Sequence, residues 1–130
     1  MADDPTALTR ELYAAFNRGD LAAVLARLDP DVEVIDPDRT GRTHHGPEGY
    51  RAFLEEWLES WESYRVEITG MTRNGERVLV DVTQHGVGKG SGVEFSEPFF
   101  QTITFRGDRV TRFEVYLDRA DAERAAGLRN

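Results

Sequence analysis

The sequence predicts an α+β fold, with helices packed on one face of an antiparallel sheet. Three observations predict it. Apolar residues recur at helical spacing up to Trp61, and beyond it they alternate with polar ones. Asn74-Gly75 and Gly107-Asp108 read as tight hairpin turns, so the strands that they join run antiparallel. The length of 130 residues suits one domain, spanning 1–130, around a single core.

The first helix is expected over residues 5–18. Asp4 can cap it, Pro5 suits its first position, and Leu8, Leu12, Ala15 and Phe16 form its apolar stripe. Gly19 ends it. Asp20 then caps a second helix whose inner face is Leu21, Val24, Leu25 and Leu28, and Pro30 stops it. The run Val32-Glu33-Val34-Ile35 is a short apolar strand closed by Asp36-Pro37. A polar loop is expected over residues 37–45, after which Gly46-Pro47 opens the third helix. Its stripe is the clearest in the chain: Tyr50, Phe53, Leu54, Trp57, Leu58 and Trp61.

The period then changes to two. Tyr64, Val66 and Ile68 alternate with Arg65, Glu67 and Thr69, and the next strand places Val78, Val80 and Val82 on one face. Glycines at 86, 88, 90 and 92 leave part of this strand almost bare, which permits sharp coiling or close approach of another backbone. Strands over 93–105 and 110–117 follow. Asp118 caps a last helix over 119–128, with Asp121 placed as in a capping box.

Hairpin arithmetic assigns the faces. With Gly107-Asp108 and Gly90-Ser91 as loop residues, Gln101 faces Glu114, Phe99 faces Tyr116, and Val80 lies beside Gln101. One face then carries Val80, Val82, Phe99, Gln101, Ile103, Glu114 and Tyr116. Apolar walls with a few convergent polar groups are the make-up of a small-molecule pocket. The other face carries Asp81, Thr83, His85, Phe100, Thr102, Phe113, Val115 and Leu117. Its apolar patch of Phe100, Phe113, Val115 and Leu117 is costly to expose, so a homodimer closed through it is expected. A one-residue error in a turn exchanges the faces of the strand concerned.

Composition excludes several classes of function. Hydrophobic content of 39% with 31% charged residues is that of a soluble globular protein. The net charge of −8 argues against nucleic acid and against an anionic membrane surface as partners. No apolar run approaches the ~18 residues of a membrane span, and the acidic start is unlike a signal peptide. With no cysteine there is no disulfide, thiol catalysis or thiolate metal site, and a cytoplasmic location is expected by default.

Asp36 is the most telling residue. A carboxylate at the mouth of an apolar core can act as a base, because desolvation disfavours its charged form. The plain alternative is a turn, for which Asp36-Pro37-Asp38 is well suited. Glu114 is the second available acid, unless it pairs with Arg112. Donors for a developing oxyanion would come from Tyr13, Gln101 and Tyr116. Phe53, Trp57, Trp61 and Phe99 would wall the pocket, although aromatic residues at such spacing are also core. His44-His45 lacks the spacing of a metal site, so no metal is expected and the loop reads rather as a lid.

The element order resembles the nuclear-transport-factor-2-like superfamily, and in particular its SnoaL-like polyketide cyclase branch, over residues 7–128. The carriers are Tyr13-Ala14-Ala15-Phe16-Asn17-Arg18-Gly19-Asp20-Leu21, then Val32-Glu33-Val34-Ile35-Asp36-Pro37, Gly46-Pro47-Glu48-Gly49-Tyr50 and Phe113-Glu114-Val115-Tyr116-Leu117-Asp118. The resemblance implies a cone-shaped roll of curved sheet wrapped around the N-terminal helices, as in cystatin-like folds. The related ketosteroid isomerases carry a similar strand whose aspartate is the base, a role that maps onto Asp36. Their oxyanion pair of tyrosine and protonated aspartate would fall on Leu12 and Gln101, so the pair is broken, which argues against steroid isomerase activity. SnoaL-like cyclases close a ring by acid/base aldol addition without metal or cofactor. The implied function is a cofactor-independent cyclase or isomerase acting on a small hydrophobic carbonyl compound. The alternative is a non-catalytic binding protein, or an interaction module of the same fold.

Overall fold

The computed structural model describes residues 4–129. α1 (Pro5–Asn17) starts as its sequence dictates: the Asp4 carboxylate accepts the Thr6 N–H at 3.0 Å, and Pro5 sits in the first turn, where no donor is needed. Asp20 caps α2 (Leu21–Ala26) by accepting the Ala23 N–H. This helix is shorter than its stripe suggests, because Leu28 leaves it to open β1 (Leu28–Asp36) beside Val110. Pro30 falls in the irregular stretch between Leu28 and Glu33, where its missing N–H breaks no ladder.

The polar segment 37–45 is only partly a loop. β2 (Arg42–His45) pairs antiparallel with β1, from Glu33 opposite His45 to Asp36 opposite Arg42. α3 (Gly46–Leu58) ends before Trp61, which belongs to β3 (Trp61–Asn74). β4 (Arg77–Gly88), β5 (Glu94–Arg106), β6 (Arg109–Tyr116) and α4 (Arg119–Ala125) complete the chain. The sheet order is β2-β1-β6-β5-β4-β3, antiparallel throughout except where β1 meets β6 in parallel.

Helices α1 to α3 cover one face of the curved sheet, over a core that includes Val32, Val34, Val78, Val80, Ile103 and Val110, all 0% exposed. α4 packs on the opposite face, correcting the expectation of helices on one side only. Ala122 and Ala126 bury Leu79 there, with Phe100 and Tyr116 packed around them. The Thr102 hydroxyl ties the helix down by donating to the Ala122 carbonyl at 2.7 Å. No helix among the described residues is long and apolar enough to cross a membrane.

One bulge reassigns a whole strand. The β4–β5 register matches the arithmetic, with Val80 opposite Gln101 and Val82 opposite Phe99. The β5–β6 hairpin also begins as reckoned, with Arg106 opposite Arg109 and Phe105 opposite Val110. The ladder then slips by one residue, so that Thr104 faces Arg112, Ile103 faces Phe113 and Gln101 faces Val115. Thr111 is the extra residue, and past it every side chain changes face. Phe113 and Val115 therefore point into the core, at 8% and 1% exposure. Glu114 and Tyr116 point outwards. The expected dimer patch is broken up with them: Phe100 packs under α4, and only Leu117 stays exposed.

Candidate functional site

Between the three N-terminal helices and the inner sheet face lies a narrow cavity of about 60 Å³. α1 contributes Leu12, Tyr13 and Phe16, and α3 contributes Tyr50, Phe53, Leu54 and Trp57. The sheet adds Tyr64, Val66, Phe99, Gln101, Phe113 and Val115. The lining is thus aromatic and aliphatic, with few polar groups, as ligand cavities generally are.

Each polar group has a definite arrangement. The Tyr13 hydroxyl donates to the Gln101 side-chain carbonyl. The Gln101 amide nitrogen then has no protein acceptor among the described residues and is left as a donor. The Tyr64 hydroxyl donates to Gln84 Oε1 at 2.6 Å. Burial raises the pKa of the Tyr13, Tyr50 and Tyr64 hydroxyls, so they stay protonated donors at neutral pH. The indole N–H of Trp57 is buried without an acceptor. Arg39, from the turn after β1, completes the wall: its guanidinium lies 4.2 Å from the Trp57 ring centroid and 5.0 Å from that of Phe99.

Asp36 meets the turn reading and exceeds it. Its Oδ2 accepts the Thr40 N–H at 3.2 Å, and its carbonyl accepts the Gly41 N–H at 2.9 Å. Val32, Val34 and Asp36 share the inward face of β1, and all three are 0% exposed. Oδ1 is buried with no hydrogen-bond partner. The side chain is not among those lining the cavity. Its diagonal neighbour on the same face of the β1–β2 pair is His44, whose Nε2 is likewise buried and unpartnered. The His44 ring centroid lies 5.3 Å from that of Phe53, a cavity wall, so His44 stands behind that wall.

Other sequence candidates lie elsewhere. Glu114 is buried on the outer face, where Tyr116 donates to it at 2.6 Å and Arg112 stands 3.6 Å away, so neither Glu114 nor Tyr116 belongs to the cavity. Burial first, and then the bond to Glu114, raises the pKa of the Tyr116 hydroxyl. Trp61 is not a wall either. It lies against Gly86, where a Cβ would come within 2.6 Å of the indole, and beside Phe95 at 5.1 Å. The bare stretch of β4 thus receives an aromatic ring rather than a backbone. His85 is on the outer face, between Ser96 at 2.9 Å and Glu67 at 3.0 Å. Sequence reasoning missed Arg39, since nothing in Asp38-Arg39-Thr40-Gly41 says which side of a turn an arginine takes. It missed Phe113 and Val115 as walls for a readable reason: apolar residues of β6 change from even to odd numbers after Val110, which is the signature of the bulge.

Comparison with known proteins agrees with this architecture. Residues 9–113 match the family model of the SnoaL-like domain. An NTF2-like protein of unknown function from Burkholderia pseudomallei K96243 is 29% identical, covering 95% of this chain and 98% of its own, with a TM-score of 0.80. A candidate polyketide cyclase from Xanthomonas campestris pv. campestris is 27% identical over 95% of both chains, with a TM-score of 0.73. A candidate SnoaL-like polyketide cyclase from Jannaschia sp. CCS1 is 17% identical, covers 97% of this chain and 93% of its own, and shares the fold at a TM-score of 0.77. A search of curated proteins found no match. The fold is the nuclear-transport-factor-2-like roll, and the chain belongs to the SnoaL-like domain family.

Proposed function

We propose that this protein is a cofactor-independent cyclase or isomerase that abstracts a proton from a small, hydrophobic, polyketide-like carbonyl compound, with Asp36 as the base. The observation that carries the reading is the buried and unpartnered Oδ1 of Asp36 on the inward face of β1. Folding leaves few buried polar atoms without partners, and those that remain call for an explanation such as a catalytic role. The family and the candidate cyclases of the same fold support it.

The chemistry balances within one substrate. The Asp36 carboxylate takes a proton from the carbon next to a carbonyl, and the electrons left behind form an enolate. The Gln101 amide and the Trp57 indole offer N–H groups to the enolate oxygen. The enolate carbon attacks a second carbonyl of the same molecule, forming a carbon–carbon bond. The alkoxide so produced regains the proton from the Asp36 carboxylic acid. In an isomerase acting on an unsaturated ketone, the same proton returns to the far carbon of the conjugated dienolate. Such acid–base catalysis contributes ~10²–10⁴-fold in rate.

A second reading is favoured by two observations: Asp36 is not among the cavity-lining side chains, and the Tyr13 hydroxyl is already engaged by Gln101. On that reading the protein sequesters a hydrophobic metabolite without transforming it. A panel of enolisable polyketide-like ketones incubated in D2O separates the two. Loss of the α-proton NMR signal with wild-type protein, abolished in Asp36→Asn, supports catalysis. Binding without exchange supports sequestration, and exchange unchanged in Asp36→Asn removes Asp36 as the base.

A further inference from the structure

Arg39 is the cation in the cavity wall, and no salt bridge joins it to a carboxylate among the described residues. This is unusual for a chain with 24 acidic residues against 16 basic ones, in which most other arginines find a carboxylate. Its protein hydrogen bond is a long one, from Nη2 to Gln84 Oε1 at 3.5 Å, and Gln84 Oε1 is already held by Tyr64 at 2.6 Å. A half-buried guanidinium without a counter-ion has lost part of its hydration, and the Trp57 and Phe99 rings restore only part of that loss.

The turn that carries Arg39 is pinned at both ends. Thr40 N and Gly41 N both donate to Asp36, while the Asp38 carboxylate accepts the Leu117 N–H at 2.8 Å. The guanidinium carbon therefore sits near the Trp57 and Phe99 rings before any ligand arrives, with a long bond to Gln84 and the Tyr64 hydroxyl close by. A planar fork of donors matches a carboxylate, or the pair of oxygens of an acidic enol, in two parallel hydrogen bonds. The aromatic walls on either side suit a flat apolar body attached to that anion.

We infer that the ligand of this cavity is an anion: a flat, apolar molecule bearing a carboxylate or an equivalent ionised oxygen pair, which Arg39 holds. The inference narrows the substrate class of the proposed function and rests on the cavity being a ligand site. It does not depend on Asp36 acting as a base. Arg39 is a binding and specificity residue in this scheme, orienting the molecule by a group remote from the reacting carbon.

The test compares 2-naphthoate with 2-naphthamide, two probes of nearly equal shape that differ in charge, by isothermal titration calorimetry at neutral pH. The net charge of −8 disfavours the carboxylate at long range, so a preference for it has to arise from a local cation. The wild-type protein should bind 2-naphthoate roughly tenfold or more tightly than 2-naphthamide. Arg39→Met keeps an apolar stem over Trp57 and Phe99. It should erase that ratio while leaving the amide's Kd within about threefold. Equal affinities in the wild type overturn the inference whether or not the variant folds, and so does a preference that survives in Arg39→Met. Binding of neither probe overturns the inference together with the cavity reading. Retained preference in a protein that fails to exchange α-protons overturns only the catalytic reading and leaves this one standing.

Discussion

Asp36 and Glu114 are both buried acids on neighbouring strands, yet they stand in opposite chemical situations. Ile35 pairs with Glu114 across β1 and β6, which puts the two carboxylates one residue apart and on opposite faces of the sheet. Glu114 has Tyr116 and Arg112 as partners on the outer face. Asp36 has one oxygen bonded to the Thr40 amide and the other bonded to nothing. A buried acid with a donor on one oxygen and a cation beside the other has structural work to do. One left half-satisfied costs stability that a hydrogen-bond donor would restore. The difference comes from one extra residue, Thr111, which turns β6 over.

The largest expected effect breaks the comparison at that bulge. Val115→Asp would put an unpaired charge at a site 1% exposed, and it should lower stability by more than ~3 kcal/mol in urea denaturation. Leu117→Asp, two residues on and 52% exposed, should change stability by less than ~0.5 kcal/mol. Tolerance of Val115→Asp would mean that β6 is not turned over, returning Glu114 to the cavity side.

This pair also marks how far the sequence was legible. Helix caps at Asp4, Asp20 and Asp118 were readable because capping is local chemistry, settled within a few residues. The β4–β5 register was readable because Gly90-Ser91 fixes it by counting. β2 was not, since Arg42-Thr43-His44-His45 has no apolar alternation and becomes a strand only by borrowing the edge of β1. The cavity side of β5 followed from its alternation. That of β6 was lost by trusting the turn over the change of phase at Val110. Arg39 depended on where Asp36 and Asp38 anchor a turn, which is tertiary information.

A smaller effect sharpens the contrast between the acids themselves. Glu114→Gln weakens the bridge to Arg112 and turns an ionic acceptor into a neutral one for Tyr116. It should cost about 1–3 kcal/mol in stability while leaving any turnover intact. Asp36→Asn keeps an oxygen for the Thr40 amide and removes a half-satisfied carboxylate. Its melting temperature should hold or rise while α-proton exchange disappears. Thermal melts and the exchange assay on both variants check the crossing; parallel losses in both would show that the two acids do one job.

The inner face has a second dependence that the outer one lacks, at Gly86. Gly86→Ala puts a methyl within 2.6 Å of the Trp61 indole, which is held by Phe95 on one side and by Trp57 and Tyr64 at 5.7 Å on the other. Overpacking of this kind costs about 1–3 kcal/mol. Because Trp57 is a cavity wall, the variant should also weaken ligand binding, whereas Glu114→Gln should not. Calorimetric titration of 2-naphthoate with each variant distinguishes them.

The smallest effect separates the two faces by their tyrosines at high pH. Burial raises the hydroxyls of Tyr13 and Tyr50, both on the inner side. A tyrosine ionises near pH 10 when unfolded, so above that pH the native state binds the proton that the unfolded chain has lost. Stability is therefore at its full value below about pH 10 and falls as pH rises towards the elevated native values. The folding equilibrium drops about tenfold per pH unit for each such tyrosine. Tyr50→Phe removes one of them, so the slope of stability against pH between 10 and 11 should be shallower by that amount. Tyr116 differs in kind, because part of its rise comes from donating to Glu114. Glu114→Gln should lower the Tyr116 value and leave the Tyr13 and Tyr50 contributions in place, as read by urea melts at stepped pH and by phenolate absorbance. An alkaline slope insensitive to Tyr50→Phe would mean that the cavity wall is wetter than its burial implies, and an anion held there by Arg39 would then compete with water.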